Sequence, residues 1–284
     1  MKKIKYLIMI TLLISLTGCL KNDTMEDIEI STSIYPIEYV VSTLYGEHST
    51  INSIYPKDSE IIDFKVTDVL LSQYSDTDLF IFNGLSDEKN YVKKMLKNNK
   101  NLKIIDVTSN MNINYSDEEL WLDPNNLLTI AYNIKNGFNE YIKSSYLIDE
   151  INNNYEELKT KLTSLDGKYY STVKNSTNNT IIVNDDAFTF LRKYGLKVIS
   201  LDKDTVKEKD IIEAKELLDN GTCNYVFIKY KQNKEDIVEN VLSSTTKTLE
   251  LYTMTNLSEI DVEKNNYVNL MNENLETIKQ ELFD

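Results

Sequence analysis

Short runs of β-branched and aromatic residues alternate with amphipathic stretches along most of the chain, and the alternation predicts strands and helices in turn. The strand candidates of the first half are Glu29 to Ser33, Thr50 to Tyr55, Asp78 to Asn83 and Leu102 to Val107. Helical periodicity fills Ile37 to Leu44, Asp68 to Tyr74 and Asp87 to Leu96. Asp123 and Pro124 form a helix cap and first-turn pair, followed by apolar positions at Leu127, Ala131, Ile134, Phe138 and Ile142. A second helix follows, with Ile148, Ile151, Tyr155, Leu158, Leu162, Leu165 and Tyr169 spaced by three and four. That beat covers only about three heptads, so a long helix laid across a globular body is preferred to a coiled coil. Gly167 costs about 1 kcal/mol relative to alanine inside a helix, so an end or bend is expected near it. From Thr177 the strand and helix rhythm restarts: strands at Thr180 to Asn184, Lys197 to Leu201, Tyr225 to Lys229 and Thr248 to Tyr252, helices at Ala187 to Tyr194, Glu208 to Leu218 and Glu235 to Ser243. A closing helix places Tyr267, Leu270, Met271, Leu275, Ile278 and Leu282 on one face. The pattern predicts an α/β protein of two lobes, each a parallel sheet covered by helices, joined by one long helix with a cleft between them.

The N-terminus changes this picture by removing residues from it. Lys2, Lys3 and Lys5 precede an apolar stretch from Tyr6 to Leu16, and Leu16-Thr17-Gly18-Cys19 closes it with small residues before a cysteine. This has the form of a bacterial lipoprotein signal, too short to span a bilayer. Cleavage before Cys19 leaves a lipidated cysteine that tethers the protein to the extracytoplasmic face of the cell membrane. The expected organisation is therefore a signal at 1–18, a tether at 19–27, an N-terminal lobe at 28–145, a connecting helix at 146–175 and a C-terminal lobe at 176–284. Only Cys223 remains besides Cys19, so no intramolecular disulfide supports the mature fold. Losing residues 1 to 18 takes three lysines from 31 basic residues and none of the 45 acids, which leaves a net charge of −17. Nucleic acid is excluded as a partner by that balance, whereas a cationic ligand, or solubility alone, suits it.

Several chemistries are missing. The seven glycines are too scattered to build a phosphate-cradling loop. His48 is the only histidine, so neither a catalytic triad nor a multi-histidine metal centre can be assembled, and its polar neighbours predict a solvated turn. Cys223 precedes an apolar strand and reads as a buried small residue. Paired carboxylates acting as acid and base lack other support, and no enzymatic activity is expected.

Five ordered segments carry a resemblance. They are Ser33-Ile34-Tyr35-Pro36; Ser75 to Leu85, similar to "ADLVIYNGL"; Trp121-Leu122-Asp123-Pro124, similar to "HVWLDP"; Asp185-Asp186-Ala187-Phe188 with Tyr194-Gly195-Leu196, similar to "HDAF…YGL"; and Tyr267 to Leu275, similar to "YLELMRHNL". Together they resemble the substrate-binding lipoproteins of bacterial zinc and manganese ABC importers, which include the streptococcal adhesin-type proteins. The resemblance implies two (β/α)4 lobes, a rigid connecting helix, and one divalent ion held in the cleft at strand ends. It also implies an ABC permease and its ATPase as partners, and a monomer.

The chain departs from that pattern where the family places its ligands. The first histidine position falls on Glu60, the second on Glu119, the third on Asp185, and a late acidic position falls nearest Tyr252. Carboxylates converging without a cation repel one another, and a bound divalent ion relieves this. Oxygen ligation favours manganese, whereas the family favours zinc. Lys229 stands at a strand end where relatives often carry an acid, and its ammonium would oppose a cation or pair with Asp185 or Glu119. Two readings stay open: a capture subunit that binds zinc or manganese, or a diverged surface lipoprotein that has lost its metal and serves adhesion or partner contact.

Overall fold

The computed structural model describes residues 25–58, 64–111, 118–232 and 246–283. Its first strand, β1 (Ile28–Thr32), sits between β2 (Ser49–Ser53) and β3 (Leu79–Phe82), and β3 pairs with β4 (Lys103–Asp106), all in parallel. The second sheet repeats the plan: β5 (Thr180–Val183) lies between β6 (Lys197–Ser200) and β7 (Tyr225–Lys229), with β8 (Lys247–Leu251) beyond β7. Each sheet therefore reverses its winding beside its first strand, and such a reversal opens a crevice at the carboxyl ends of the strands. Every residue of β3 and of β5 is buried, as sequences that are apolar apart from Thr180 require when helices cover both faces.

Helices α1 (Tyr35–Tyr45), α2 (Asp68–Tyr74) and α3 (Glu88–Asn98) flank the first sheet. Pro36 preorganises the first turn of α1, and the Thr67 hydroxyl caps α2 by accepting from the Leu70 N–H. A short turn, α4 (Glu119–Leu122), leads through Asp123 into α5 (Pro124–Tyr141). The connecting helix α6 (Ser145–Lys174) runs 30 residues, roughly 45 Å at the standard rise. Its buried face is Leu147, Ile151, Tyr155, Leu158, Leu162, Leu165, Tyr169 and Val173, so Leu147 takes the first inward position expected of Ile148. Asn154 of α6 donates to the Leu44 carbonyl in the first lobe, and the Tyr169 hydroxyl to the Met271 carbonyl in the second. One continuous apolar cluster, from Ile30 through Phe138 and Tyr169 to Ile181 and Leu275, runs across both lobes.

Several expectations need correction. Helix α6 passes through Gly167 without ending, because about eight turns of helix with a buried apolar face hold it against the loss of propensity at one residue. The segment Asp186–Tyr194 is a 3₁₀ helix, closed by Gly195 at φ 101°. Met25, inside the expected tether, is buried, and its carbonyl accepts from the Tyr45 hydroxyl. His48 is not simply solvated, since its Nε2 lies 3.0 Å from Glu150 on α6. Cys223 is buried as expected. In the second lobe α7 (Glu208–Asp219) and α8 (Glu259–Lys264) precede the closing helix α9 (Tyr267–Leu282). Glu281 of α9, 1% exposed, accepts the backbone N–H groups of Asn224 and Tyr225 and so fixes the start of β7. The expected helix Glu235 to Ser243 and Cys19 lie outside the described residues.

Candidate metal cleft

A cleft of about 660 Å³ opens where the carboxyl ends of the two sheets face each other. Ile34 follows β1 into it and Asn83 follows β3; Asp185 follows β5, Asp202 follows β6, and Lys229 ends β7. Trp121, the only tryptophan of the chain, closes its floor. The indole N–H of Trp121 donates to the Thr253 carbonyl at 2.9 Å, and the Tyr267 hydroxyl donates to the Trp121 carbonyl at 2.5 Å. Both bonds are buried and both come from the C-terminal lobe, so Trp121 is held from the opposite side of the cleft. Asp123 caps α5 through the Asn125 N–H and pairs with Lys193, which also reaches Asp166 of α6 at 2.8 Å.

The most polar point of the cleft is built from both lobes. The Lys229 ammonium stands 2.8 Å from Glu118 Oε2 and 2.9 Å from Asp185 Oδ2. Burial works against this charge, but attraction to Glu118 and Asp185 and their hydrogen bonds outweigh it and hold the lysine above its usual pKa. The second oxygen of each carboxylate is held separately: Glu118 Oε1 accepts from the Thr255 hydroxyl at 3.2 Å, and Asp185 Oδ1 accepts from the Ala187 N–H at 2.8 Å. Gln232 Oε1 accepts both the Lys229 N–H and an Asn184 amide hydrogen, which binds the ends of β5 and β7 together.

The residues expected from sequence fall into different places. Asp185 reaches the cleft. Glu119 turns inward, 6% exposed, and accepts from the Thr189 hydroxyl; its neighbour Glu118 takes the position facing Lys229. Tyr252 packs its ring on Tyr230 with centroids 4.5 Å apart, and its backbone N–H donates to Asn274. Burial, with the charge of Glu273 adding, pushes the Tyr252 phenol up to about 12, so it stays neutral and is a poor ligand. Glu60 lies outside the described residues. Among the described residues no group of three or more histidine, cysteine, aspartate or glutamate side chains is placed to hold a metal ion. In this arrangement an ammonium stands between two of the carboxylates, and Glu119 is engaged with Thr189. Of the two partners expected for Lys229, Asp185 is found and Glu118 stands in place of Glu119; Glu118, Thr255 and Thr189 were missed. No sequence signal separates Glu118 from Glu119, and the two hydroxyls come from distant segments.

The fold is shared with solved structures. The Zn(II)-bound ZnuA-like domain of AdcA from Streptococcus pneumoniae superposes with a TM-score of 0.74 at 20% identity, covering 91% of this chain and 100% of that one. The metal-dependent lipoprotein YcdH from Bacillus subtilis gives 0.75 at 19% identity, covering 91% and 100%. AdcAII of S. pneumoniae gives 0.74 at 18% identity, covering 90% and 99%. No curated protein sequence matches the chain. Two four-stranded parallel sheets with a long helix between them agree with the expected α/β architecture of two lobes. The family model described as zinc-uptake complex component A, periplasmic (ZnuA), matches residues 30–281, nearly all of the folded body, and the chain belongs to that family of metal-capturing solute-binding proteins.

Proposed function

We propose that this protein is the extracytoplasmic capture subunit of an ABC importer, taking one zinc or manganese ion into the cleft and passing it to a membrane permease driven by its ATPase. The observation that carries this reading is that Glu118 and Asp185, from opposite lobes, already converge on one positive charge at the strand ends. Asp185 and Glu118 are the ligands we assign first. Glu60 is the ligand that the family pattern adds, and Glu119 supports the site from behind through Thr189. Carboxylate oxygens favour manganese over the nitrogen and sulfur chemistry usual for zinc, while zinc is the metal in the family description and in the S. pneumoniae domain. The site works by binding alone. Lipidation at Cys19 would keep the protein, a monomer, at the outer face of the cell membrane; among the described residues no helix is long and apolar enough to cross a membrane.

The test is a thermal melt of the demetallated full-length protein with added zinc(II) or manganese(II). A bound ion at a hundred times its dissociation constant stabilises by about 2.7 kcal/mol. The rise in melting temperature should vanish in Asp185→Ala and fall sharply in Glu118→Ala and Glu60→Ala. If no divalent ion moves the melt of the unsubstituted protein, capture in this form is refuted and a role in surface adhesion gains.

A further inference from the structure

The cation position in the cleft is already occupied by part of the chain. Lys229 is the last residue of β7, and its ammonium touches one carboxylate from each lobe, with Lys229, Glu118 and Asp185 side chains 19%, 16% and 19% exposed. Each carboxylate has one oxygen pinned by another donor, Thr255 on Glu118 and Ala187 on Asp185. The remaining oxygens, Oε2 and Oδ2, are directed at the same point. With the ammonium gone, two preoriented carboxylate oxygens would face one another there, an arrangement that repels itself and attracts a cation. The backbone of Lys229 is held independently by Gln232, so the side chain can leave while the strand end stays in place. A lysine is suited to this, being a compact point charge on a flexible stem, in contrast to the planar fork of arginine.

We infer that Lys229 is a tethered, displaceable occupant of the cation position: it ties the lobes together before cargo arrives, and an incoming divalent ion must expel it, so this one side chain sets the concentration at which the protein loads. The inference rests on the capture reading above. Two physical points support it. The contact is non-covalent and all three side chains keep some exposure to solvent, so the lysine is not held irreversibly. A doubly charged ion at the same point interacts twice as strongly with each carboxylate. A ligand that binds only the lysine-out form has its apparent affinity lowered by the fraction of molecules in that form. Removing the ammonium should therefore tighten binding, the opposite of what loss of an ordinary site residue does.

The experiment measures dissociation constants for manganese(II) and zinc(II), by calorimetry and by Trp121 fluorescence, on the full-length protein and on its Lys229→Met and Lys229→Arg variants. Lys229→Met should bind at least about tenfold more tightly and should melt lower than the parent without metal but recover when metal is added. Lys229→Arg, which keeps the charge, should stay near the parent affinity. Equal affinities in parent and Lys229→Met overturn the role of Lys229 and leave capture standing. Binding by Lys229→Met with none by the parent also overturns it, since the lysine would then be a permanent replacement for the ion. No binding by any of the three refutes the capture reading itself. Lys229→Gln, which keeps a polar side chain of similar reach, takes the place of Lys229→Met if the latter does not fold, and the same comparison applies.

Discussion

Single side chains decide which groups meet in the cleft. Glu118 and Glu119 are neighbours on a helical turn, where successive side chains point about 100° apart. One faces Lys229 and the other faces Thr189. The sequence offers no means of choosing between them, because the choice is made by contacts from residues some seventy positions and more away. Trp121 is a similar case, its indole and carbonyl both held by the C-terminal lobe. Tyr267→Phe removes the donor to the Trp121 carbonyl and leaves that buried acceptor without it, which should cost about 1–3 kcal/mol in a urea unfolding experiment. A change within about 0.5 kcal/mol would mean that the bond adds nothing to the clamp on Trp121. Asp185 was identifiable for a different reason: the segment Asp185-Asp186-Ala187-Phe188 resembles the family's "HDAF" motif, and the structure adds that its side chain caps the following 3₁₀ helix.

At the scale of elements, local rules served well. The strands expected at Asp78 to Asn83 and Thr180 to Asn184 form as Leu79–Phe82 and Thr180–Val183, one residue shorter at their polar ends, and both are central in their sheets. Asp123 with Pro124 marked the start of α5 to the residue. The rules failed where two structures share one pattern: Asp186–Tyr194 has a helical apolar face, but whether it winds as α or 3₁₀ depends on its packing beneath α4 and α6. Gly167 misled for a related reason, since intrinsic propensity is a small term beside the apolar face of a 30-residue helix. Two glycines make the point testable. At Gly167 an added Cβ meets nothing within 4 Å, so Gly167→Ala should stabilise by about 1 kcal/mol. At Gly137 of α5 a Cβ would come within 2.6 Å of the Ile105 side chain, so Gly137→Ala should destabilise by about 1–3 kcal/mol despite the better propensity. Thermal melts that move in the same direction for both variants would contradict this account of the two helices.

Across the whole molecule, the two lobes share one apolar cluster and are strapped by α6, by the Trp121 clamp and by paired charges. Lys231 adds a second bridge at the cleft's edge, 2.7 Å from Asp58 of the first lobe and 3.3 Å from Asp261 of the second. Bodies joined in this way should unfold together. Scanning calorimetry of the metal-free protein should give a single transition with equal calorimetric and van't Hoff enthalpies; two resolved peaks would show that the lobes are independent. This unity was less legible than the lobes themselves, because the sequence repeats its strand and helix rhythm twice without stating how much apolar surface the halves share.

The burial of Met25 and its bond to Tyr45 bear on how cargo is handed over. A lipid on Cys19, as proposed, would stand six positions before Met25, a separation of at most roughly 21 Å along the chain, which is less than the thickness of the bilayer's oily interior. Met25 stands just before β1, whereas the mouth lies past the end of the same strand, about 16 Å farther along. Under the proposed anchoring the body would stay near the membrane surface with its tether and its mouth at opposite ends of β1, so delivery would require the body to reorient.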